Sequence, residues 1–151
     1  MPVKKLKDFL DSNDIKYVTI GHSKAYTAQE VAASSHIPGK EMAKTVMVKV
    51  DGAMAMAVLP ASRSADFHLL KKSLGAKNVD LANEREFCDM FPECDVGAMP
   101  PFGNLYNMNV FVARDLAEAE NIAFNAGSHT ELMKLAYSDF EQLVKPRVLE
   151  F

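Results

Sequence analysis

The spacing of apolar and polar residues along the chain predicts a series of short helices and strands. In the opening segment, apolar residues recur at the three- and four-residue intervals of a helix, at Val3, Leu6, Phe9 and Leu10. This pattern predicts a helix that ends near Asn13, and the next apolar segment, KYVTI, predicts a strand. Two later segments, NVFVA and NIAFN, predict further strands. A turn at Gly127 separates the last of these from the segment ELMKLA.

The strongest local pattern is a β-hairpin centred on the pair Asp51-Gly52. Val46, Val48 and Val50 alternate with other residues before the pair, and Asp-Gly is typical of a two-residue hairpin turn. The segment AMAMAVL that follows is apolar at successive positions, which is typical of a strand covered on both faces. We therefore expect an antiparallel pair whose second strand is central in its sheet.

Residues that can cap helix N-termini predict four further helices. Capping boxes or single caps occur at Thr27 with Glu30, at Asp66, at Asn83 with Glu86, and at Ser138 with Glu141. The corresponding helices cover AQEVAASS before Pro38-Gly39, FHLLKKSL before Gly75, EREFCDMF before Pro92, and DFEQLVK. Runs of strands with irregularly interspersed helices favour an α+β fold, a compact mixed β-sheet or barrel with flanking helices, over a doubly wound parallel sheet.

The composition is that of an ordinary globular domain. The chain of 151 residues fits a single domain, 1–151, and its 48% hydrophobic and 25% charged residues argue against disorder. No apolar run approaches the roughly 20 residues of a membrane span, and charges interrupt the first 14 residues. We therefore expect a cytoplasmic protein that does not enter membranes.

Cysteine spacing and net charge bear on the cofactors and partners. Cys88 and Cys94 lack a second pair and a nearby histidine, so zinc-site spacing is absent and we expect reduced thiols and no metal. Neither G-x-G-x-x-G nor a Walker loop occurs, so we expect no cofactor. The net charge of -3 argues against a broadly basic, nucleic-acid-binding surface, although a local basic patch is compatible with it.

The segment VGAMPPFGN, residues 96–104, contains two glycines and two prolines. Proline fixes φ and lacks an N–H, whereas glycine lets a backbone turn tightly or approach a ligand closely. The segment therefore predicts either a rigid surface turn or a shaped backbone wall whose amide N–H groups are offered to a ligand.

Two further positions are candidates for a polar site. Lys44 stands at the entrance of a predicted strand, where it can hold a phosphate or be a solvated edge lysine. His129 follows Gly127 and Ser128 in a turn, where it can line a polar pocket or be exposed. Paired carboxylates, a Ser-His-Asp order and an H-E-x-x-H motif do not occur in the sequence.

Four segments carry a resemblance to a known family. They are TAQEVAASSHIPGKEMAKTVMVKVDG, AVLPASRSADFHLLKKSLG, VGAMPPFG and NAGSHTELMKLAYSDFEQL, in this order. Together they resemble the YbaK family, also called the prolyl-tRNA synthetase associated or editing domain, over nearly the whole chain. The most specific parts are the pair Lys44-Thr45, the loop 97–103 and the turn 127–129.

The resemblance implies a domain that hydrolyses amino acids wrongly esterified to tRNA. In that interpretation Lys44 contacts the terminal phosphate or ribose of the tRNA acceptor end. The loop from Gly97 to Gly103 holds the aminoacyl carbonyl through backbone N–H groups, which stabilise an oxyanion without a dedicated acid or base. The substrate-binding residues would be Thr45, Ala98, Met99, Pro101, Phe102, Gly127, Ser128 and His129. Pro100 stands where the family often has serine, which leaves the choice of amino acid open.

The expected function is that of a free-standing, trans-editing aminoacyl-tRNA deacylase for a small amino acid. Alanine, with tRNA-Pro as a candidate carrier, or cysteine fits, because synthetases discriminate small side chains by only about 1–3 kcal/mol per methylene. The expected partners are the acceptor end of mischarged tRNA and an aminoacyl-tRNA synthetase. Two other interpretations stay open: a non-catalytic tRNA- or synthetase-associated binding module, and a hydrolase of a phosphate-bearing small molecule.

Overall fold

The computed structural model describes residues 4–21, 37–95 and 97–151. In chain order the helices are α1 Lys4–Ser12, α2 Phe67–Leu74, α3 Glu84–Phe87, α4 Arg114–Ala117 and α5 Tyr137–Val144. The strands are β1 Tyr17–Gly21, β2 Ala43–Val50, β3 Ala53–Pro60, β4 Val79–Leu81, β5 Asn109–Ala113, β6 Asn121–Asn125, β7 Glu131–Ala136 and β8 Arg147–Leu149. Short 3-10 turns cover Cys88–Met90 and Gly103–Leu105.

The strands form two sheets. One is antiparallel with the order β1-β7-β6, and the other has the order β4-β2-β3-β5-β8, with β5 parallel to both β3 and β8. A bridge between Met42 and Ala123 joins the sheets next to the start of β2. The predicted α+β fold is confirmed in its mixed-sheet form. The alternative of a barrel is wrong for the described strands, because each sheet ends in strands that have only one neighbour.

The Asp51-Gly52 hairpin is confirmed. Asp51 and Gly52 both have positive φ, at 50° and 87°, which matches the twist of the two strands that they connect. The register pairs Val50 with Ala53 and extends to Ala43 opposite Pro60. The second strand, β3, is central, because β2 lies on one side of it and β5 on the other.

Two hydrophobic clusters cover the two faces of β3. Met56 and Val58 belong to the main core, where they join apolar side chains from both sheets. Ala57 and Leu59 point to the opposite face, where α2 supplies Leu70. Alternate side chains of β3 therefore stabilise two different layers, which explains why its sequence is apolar at successive positions.

The helix predictions are confirmed in part. α1 buries Leu6 and Leu10, and α2 begins at an Asp66 cap whose Oδ1 accepts from the Leu69 N–H at 2.9 Å. The capping box of Asn83 and Glu86 is present, but only one α-helical turn follows before the chain tightens into the 3-10 turn. The Thr27/Glu30 helix lies outside the described residues.

The Ser138/Glu141 capping box is wrong. Helix α5 begins at Tyr137, two residues before the predicted start at Asp139, and its N-cap residue Ala136 makes no side-chain cap. Strand β7 runs directly into this helix, and the Tyr137 N–H donates to the Glu120 carbonyl at 3.0 Å instead. A backbone acceptor from another segment thus satisfies the helix start that a side chain was expected to cap.

Candidate active site

Backbone hydrogen bonds hold the glycine-proline loop against the turn at Gly127. The Asp95 N–H donates to the Gly127 carbonyl at 2.8 Å, and the Gly127 N–H donates to the Ala98 carbonyl at 2.9 Å. A third bond, from the Ala98 N–H to the Asp95 carbonyl at 3.0 Å, closes the loop on itself. The structure therefore places the two segments that sequence analysis selected separately next to each other.

Gly97 lies at the exposed tip of this arrangement in a conformation that favours glycine. Its φ is +86°, and a Cβ built there would lie 3.7 Å from His129 Cε1, an ordinary contact distance. The constraint is therefore the backbone conformation and not lack of space. The Gly97 N–H donates to the Met99 Sδ at 3.3 Å. A thioether is a weak hydrogen-bond acceptor. A stronger acceptor, such as an oxygen of a ligand, can therefore take over the Gly97 N–H at little cost in free energy.

The second half of the loop is anchored in the core. Phe102 is fully buried, and its ring lies 5.4 Å from each of the rings of Phe124 and Phe140, centroid to centroid. Gly103 is also buried, and a Cβ there would come within 2.6 Å of Val110 Cγ2 and 2.8 Å of the Met108 carbonyl oxygen. Pro101 is buried as well. These buried residues fix the position of the loop from the core side.

A cleft of about 170 Å³ opens between the start of β2, the loop and the end of β6. It is lined by Ala43, Lys44, Thr45, Gly97, Met99 and Asn125. Four of the predicted site residues, Lys44, Thr45, Gly97 and Met99, therefore line one cleft. Ala98 and the turn at Gly127 lie directly behind it, through the hydrogen bonds of the loop.

The surroundings of Lys44 disfavour the positive charge of its ammonium group. Burial lowers the pKa of its ammonium group, and the like charge of Arg63 lowers this pKa further. Arg63 lies just beyond β3, whose residue Leu59 pairs with Lys44, and its own guanidinium group is held by Asp115 at 2.7 and 2.8 Å. An anion beside Lys44 would offset both effects, so the site is suited to a phosphate.

Asn125 is a cleft residue that sequence analysis did not identify. It is the last residue of β6, and its Oδ1 atom is buried with no hydrogen-bond partner among the described residues. A buried carbonyl oxygen without a donor costs about 1–3 kcal/mol, so a ligand that donated a hydrogen bond to it in this cleft would be stabilised. The only signal in the sequence was a polar residue at the end of the apolar segment NIAFN.

His129 is 8% exposed, which favours the pocket interpretation of this residue over the exposed one. It packs close to the Gly97 backbone, behind the tip of the loop. Ser128 is half-buried, and its Oγ lies 3.3 Å from the Thr130 Oγ1.

Within the described ranges, no group of three or more His, Cys, Asp or Glu side chains is arranged to hold a metal ion. The helices described here are all too short or too polar to cross a membrane.

Several clefts on the described surface are larger than the one at Lys44, and two of them lie beside α4. One of about 400 Å³ lies between Lys40 and α4, and one of about 280 Å³ lies beside the Arg63–Asp115 ion pair. Neither is lined by the loop or by Asn125. The smaller cleft at Lys44 combines a cation, a backbone N–H donor and a buried amide oxygen. These groups suit an anionic ester and the class of hydrolases that cleave one.

Comparison with known proteins agrees with this class. The chain belongs to the aminoacyl-tRNA editing domain family, whose sequence pattern matches residues 22–143. It is 30% identical over 114 residues to the multifunctional Ser/Thr-tRNA deacylase ProXp-y of Escherichia coli K12, covering 72% of this chain and 68% of that protein. It is 28% identical over 97 residues to a proline–tRNA ligase of Streptococcus pneumoniae, covering 64% of this chain but only 16% of the ligase.

Solved structures share the fold. A candidate trans-editing enzyme for prolyl tRNA synthetase superposes with a TM-score of 0.81 at 15% identity, over 97% of this chain and 94% of that one. The hypothetical protein APE2540 superposes with a TM-score of 0.86 at 19% identity, over 97% and 98%. The family pattern and the Escherichia coli relative confirm the predicted family, and the protein is an aminoacyl-tRNA deacylase, a hydrolase of the ester bond between an amino acid and tRNA.

Proposed function

We propose that this protein removes small amino acids from mischarged tRNA in the cytoplasm and that the Lys44 cleft is its active site. The observation that carries the proposal is the convergence of Lys44, Gly97 and Asn125 on one cleft. Its volume of about 170 Å³ leaves room for an ester group and a short side chain such as that of alanine, serine or cysteine. A large aromatic side chain beside the ester would have to extend out of this cleft.

The Gly97 N–H is the proposed oxyanion donor. Water attacks the ester carbonyl carbon, and the carbonyl oxygen gains negative charge as the carbon becomes tetrahedral. A fixed backbone N–H stabilises this charge without reorganisation. The carbon–oxygen bond to the ribose then breaks, and a proton that originates from the attacking water ends on the ribose oxygen. The products are free amino acid and uncharged tRNA.

Asn125 is the proposed positioning residue for the attacking water. Its buried Oδ1 accepts hydrogen bonds and so can hold an O–H group in one orientation. A neutral amide is too weak a base to remove a proton, so the contribution of Asn125 is orientation of the water. The scheme thus requires no acid–base pair from the protein.

Lys44 is the proposed contact for the terminal phosphate of the acceptor end. Its partly buried ammonium group and the nearby Arg63 disfavour an uncompensated charge, and a phosphate would offset that cost. A phosphate held at this point would place the neighbouring ribose ester at the loop. Lys44 therefore acts on the position of the ester and not on the bond that breaks.

The relatives support the expected partners. One relative is a Ser/Thr-tRNA deacylase, and part of a proline–tRNA ligase matches this chain. We therefore propose the acceptor end of mischarged tRNA as the substrate and an aminoacyl-tRNA synthetase as a partner. Deacylation would then be a second selection step after aminoacylation, and it would remove the errors that synthetases make among small amino acids.

A panel of aminoacyl-tRNAs tests the function. Alanyl-, seryl-, threonyl- and cysteinyl-tRNA are incubated with the protein, and phenylalanyl-tRNA serves as the control for side-chain size. We expect rapid release of at least one small amino acid and no release of phenylalanine above the spontaneous rate. Binding without release from any of the five would instead assign the protein as a non-catalytic module. Release of phenylalanine at an equal rate would contradict selection by the cleft.

A further inference from the structure

The thioether of Met99 is the hydrogen-bond partner of the proposed oxyanion donor. Its Sδ accepts the Gly97 N–H at 3.3 Å, and both residues line the cleft at Lys44. Because a thioether is a weak acceptor, the carbonyl oxygen of an ester can displace it. A change that made this sulfur a strong acceptor would instead compete with the ester for the N–H.

Oxidation of the thioether is such a change. Hydrogen peroxide transfers one oxygen atom to the sulfur: the O–O bond breaks, an S–O bond forms, the sulfur loses two electrons and the peroxide is reduced to water. The product, methionine sulfoxide, is polar where the thioether is apolar, and its oxygen accepts hydrogen bonds. Thiol reagents reduce disulfides, whereas sulfoxides require dedicated reductases.

The sulfur of Met99 lies where a small oxidant can reach it. Met99 is only 5% exposed, but Gly97, whose N–H it accepts, is exposed at the tip of the loop. The cleft of about 170 Å³ that both residues line is several times the roughly 30 Å³ that a water molecule occupies in the liquid, so it admits hydrogen peroxide. By contrast, Met42, Met56 and Met133 are fully buried within hydrophobic clusters.

Met90 provides a matched reference for oxidation outside the cleft. It is 44% exposed, lies in the 3-10 turn Cys88–Met90 and does not line the cleft at Lys44. Since oxidation of methionine follows exposure, Met90 should react at least as fast as Met99. The two residues therefore separate the effect of oxidation in general from that of oxidation in the cleft.

We propose that Met99 is an oxidation site at which peroxides inhibit deacylation. The inference rests on the proposed function, because it requires the Gly97 N–H to stabilise the oxyanion. In the oxidised protein the sulfoxide oxygen accepts this N–H in place of the ester carbonyl oxygen. Since the sulfoxide belongs to the same loop, it competes as an intramolecular partner, at an effective concentration that a dilute substrate does not reach.

The test follows the oxidation of each methionine and the deacylation rate in the same samples. Wild type, Met99→Leu and the control Met90→Leu are treated with hydrogen peroxide. Sulfoxides are located by peptide mass spectrometry, and single-turnover release of a small amino acid is measured. We expect full oxidation of Met99 to slow wild type and Met90→Leu by at least about tenfold. Met99→Leu should keep its own untreated rate, because leucine retains the volume but not the sulfur.

Two further measurements distinguish Met99 from the other groups that peroxide oxidises. Dithiothreitol should not restore the rate, whereas it would do so if a disulfide of Cys88 or Cys94 caused the loss. In NMR spectra the Gly97 amide proton should shift downfield on oxidation of wild type, because a stronger acceptor deshields it. The same signal should not shift in Met99→Leu.

Several results would overturn the oxidation site. These are complete oxidation of Met90 with Met99 unreacted, complete oxidation of Met99 with an unaltered rate, an equal loss of rate in Met99→Leu, or recovery with dithiothreitol alone. A protein that releases no amino acid from any tRNA before treatment, but forms the Met99 sulfoxide with the shift at Gly97, would retain the site and refute the proposed function. Deacylation by a protein whose Met99 resists peroxide would refute the site alone.

Discussion

At the scale of single residues, Gly97 has a matched counterpart in the same chain. Gly97 and Gly52 have φ of +86° and +87°, and a Cβ at neither would collide with a neighbour. Replacing either by alanine should therefore cost similar stability, about 1–2 kcal/mol, from the left-handed backbone alone. Only Gly97→Ala should also lose deacylation, by at least about tenfold, because its N–H would point away from the oxyanion.

Thermal melting and single-turnover deacylation measure these two effects separately. Equal loss of stability in both variants with activity lost only in Gly97→Ala supports the oxyanion assignment. Normal turnover by a folded Gly97→Ala protein would show that the tip of the loop is only a turn.

Lys44 gives a prediction about pH. Because burial and Arg63 lower its pKa, the ammonium group loses its proton at a lower pH than an exposed lysine does. Affinity for uncharged tRNA should therefore decline as pH rises towards that lowered pKa. Lys44→Arg should remove this decline, since arginine stays charged.

The matched control for this experiment is Lys72→Arg, on the exposed surface of α2. Its tRNA affinity should follow the wild-type pH profile, as measured by fluorescence titration. A wild-type profile that stays flat up to the range of exposed lysines would contradict a phosphate contact by Lys44.

The residues of the site could be predicted only in part. Lys44, Thr45, Gly97 and Met99 line the cleft as residue type and resemblance suggested. Phe102 and Gly103, at the end of the loop, lie in the core and do not line the cleft, because the sequence does not show which part of a proline-glycine loop faces inward. The sequence shows Asn125 only as the end of a strand, because the burial of its Oδ1 without a partner among the described residues is a property of the folded chain.

At the scale of elements, local signals predicted the hairpin, the Asp66 cap and most strands. These signals act over a few residues, so the sequence displays them directly. Strands β4 and β8 have only three residues each, and β8 is defined by parallel pairing with β5. Such pairings depend on chain segments far apart in sequence, which no local pattern reports.

Gly103 provides an element-scale prediction. An alanine there would collide with Val110 and the Met108 carbonyl, whereas a Cβ at Gly21 in β1 meets none of the described residues within 4 Å. Gly103→Ala should therefore destabilise the protein by about 1–3 kcal/mol, as overpacking does, and Gly21→Ala should be nearly neutral. Urea denaturation measures both. Equal free energies of unfolding for Gly103→Ala and wild type would show that the turn at Gly103 accommodates a methyl group without loss of stability.

At the scale of the whole molecule, the site is assembled from distant parts of the chain. Residues near positions 44, 97 and 125 meet because β2 and β6 come together at the Met42–Ala123 bridge. The topology of the two sheets thus creates the cleft, and this is why neither composition nor any single motif located it. Local sequence patterns do not show that Lys44 and Gly97 belong to one site, whereas the resemblance to a family indicated it.

The net charge of -3 predicts a shallow dependence of tRNA binding on salt. A single-stranded acceptor end that meets two or three cations should give a slope of about -1.4 to -2.1 in log K against log salt. Titrations between low and moderate salt measure it. A slope equivalent to six or more phosphates would reveal a basic surface that the net charge does not predict.

The central claim is that the cleft at Lys44 hydrolyses the aminoacyl ester. Single-turnover release of a small amino acid from mischarged tRNA is the most direct measurement, made with wild type, Lys44→Ala and the exposed control Lys72→Ala. We expect a loss of at least about tenfold in kcat/KM for Lys44→Ala, equivalent to roughly 1.4 kcal/mol, and none for Lys72→Ala. Wild-type turnover by a folded Lys44→Ala protein would contradict it.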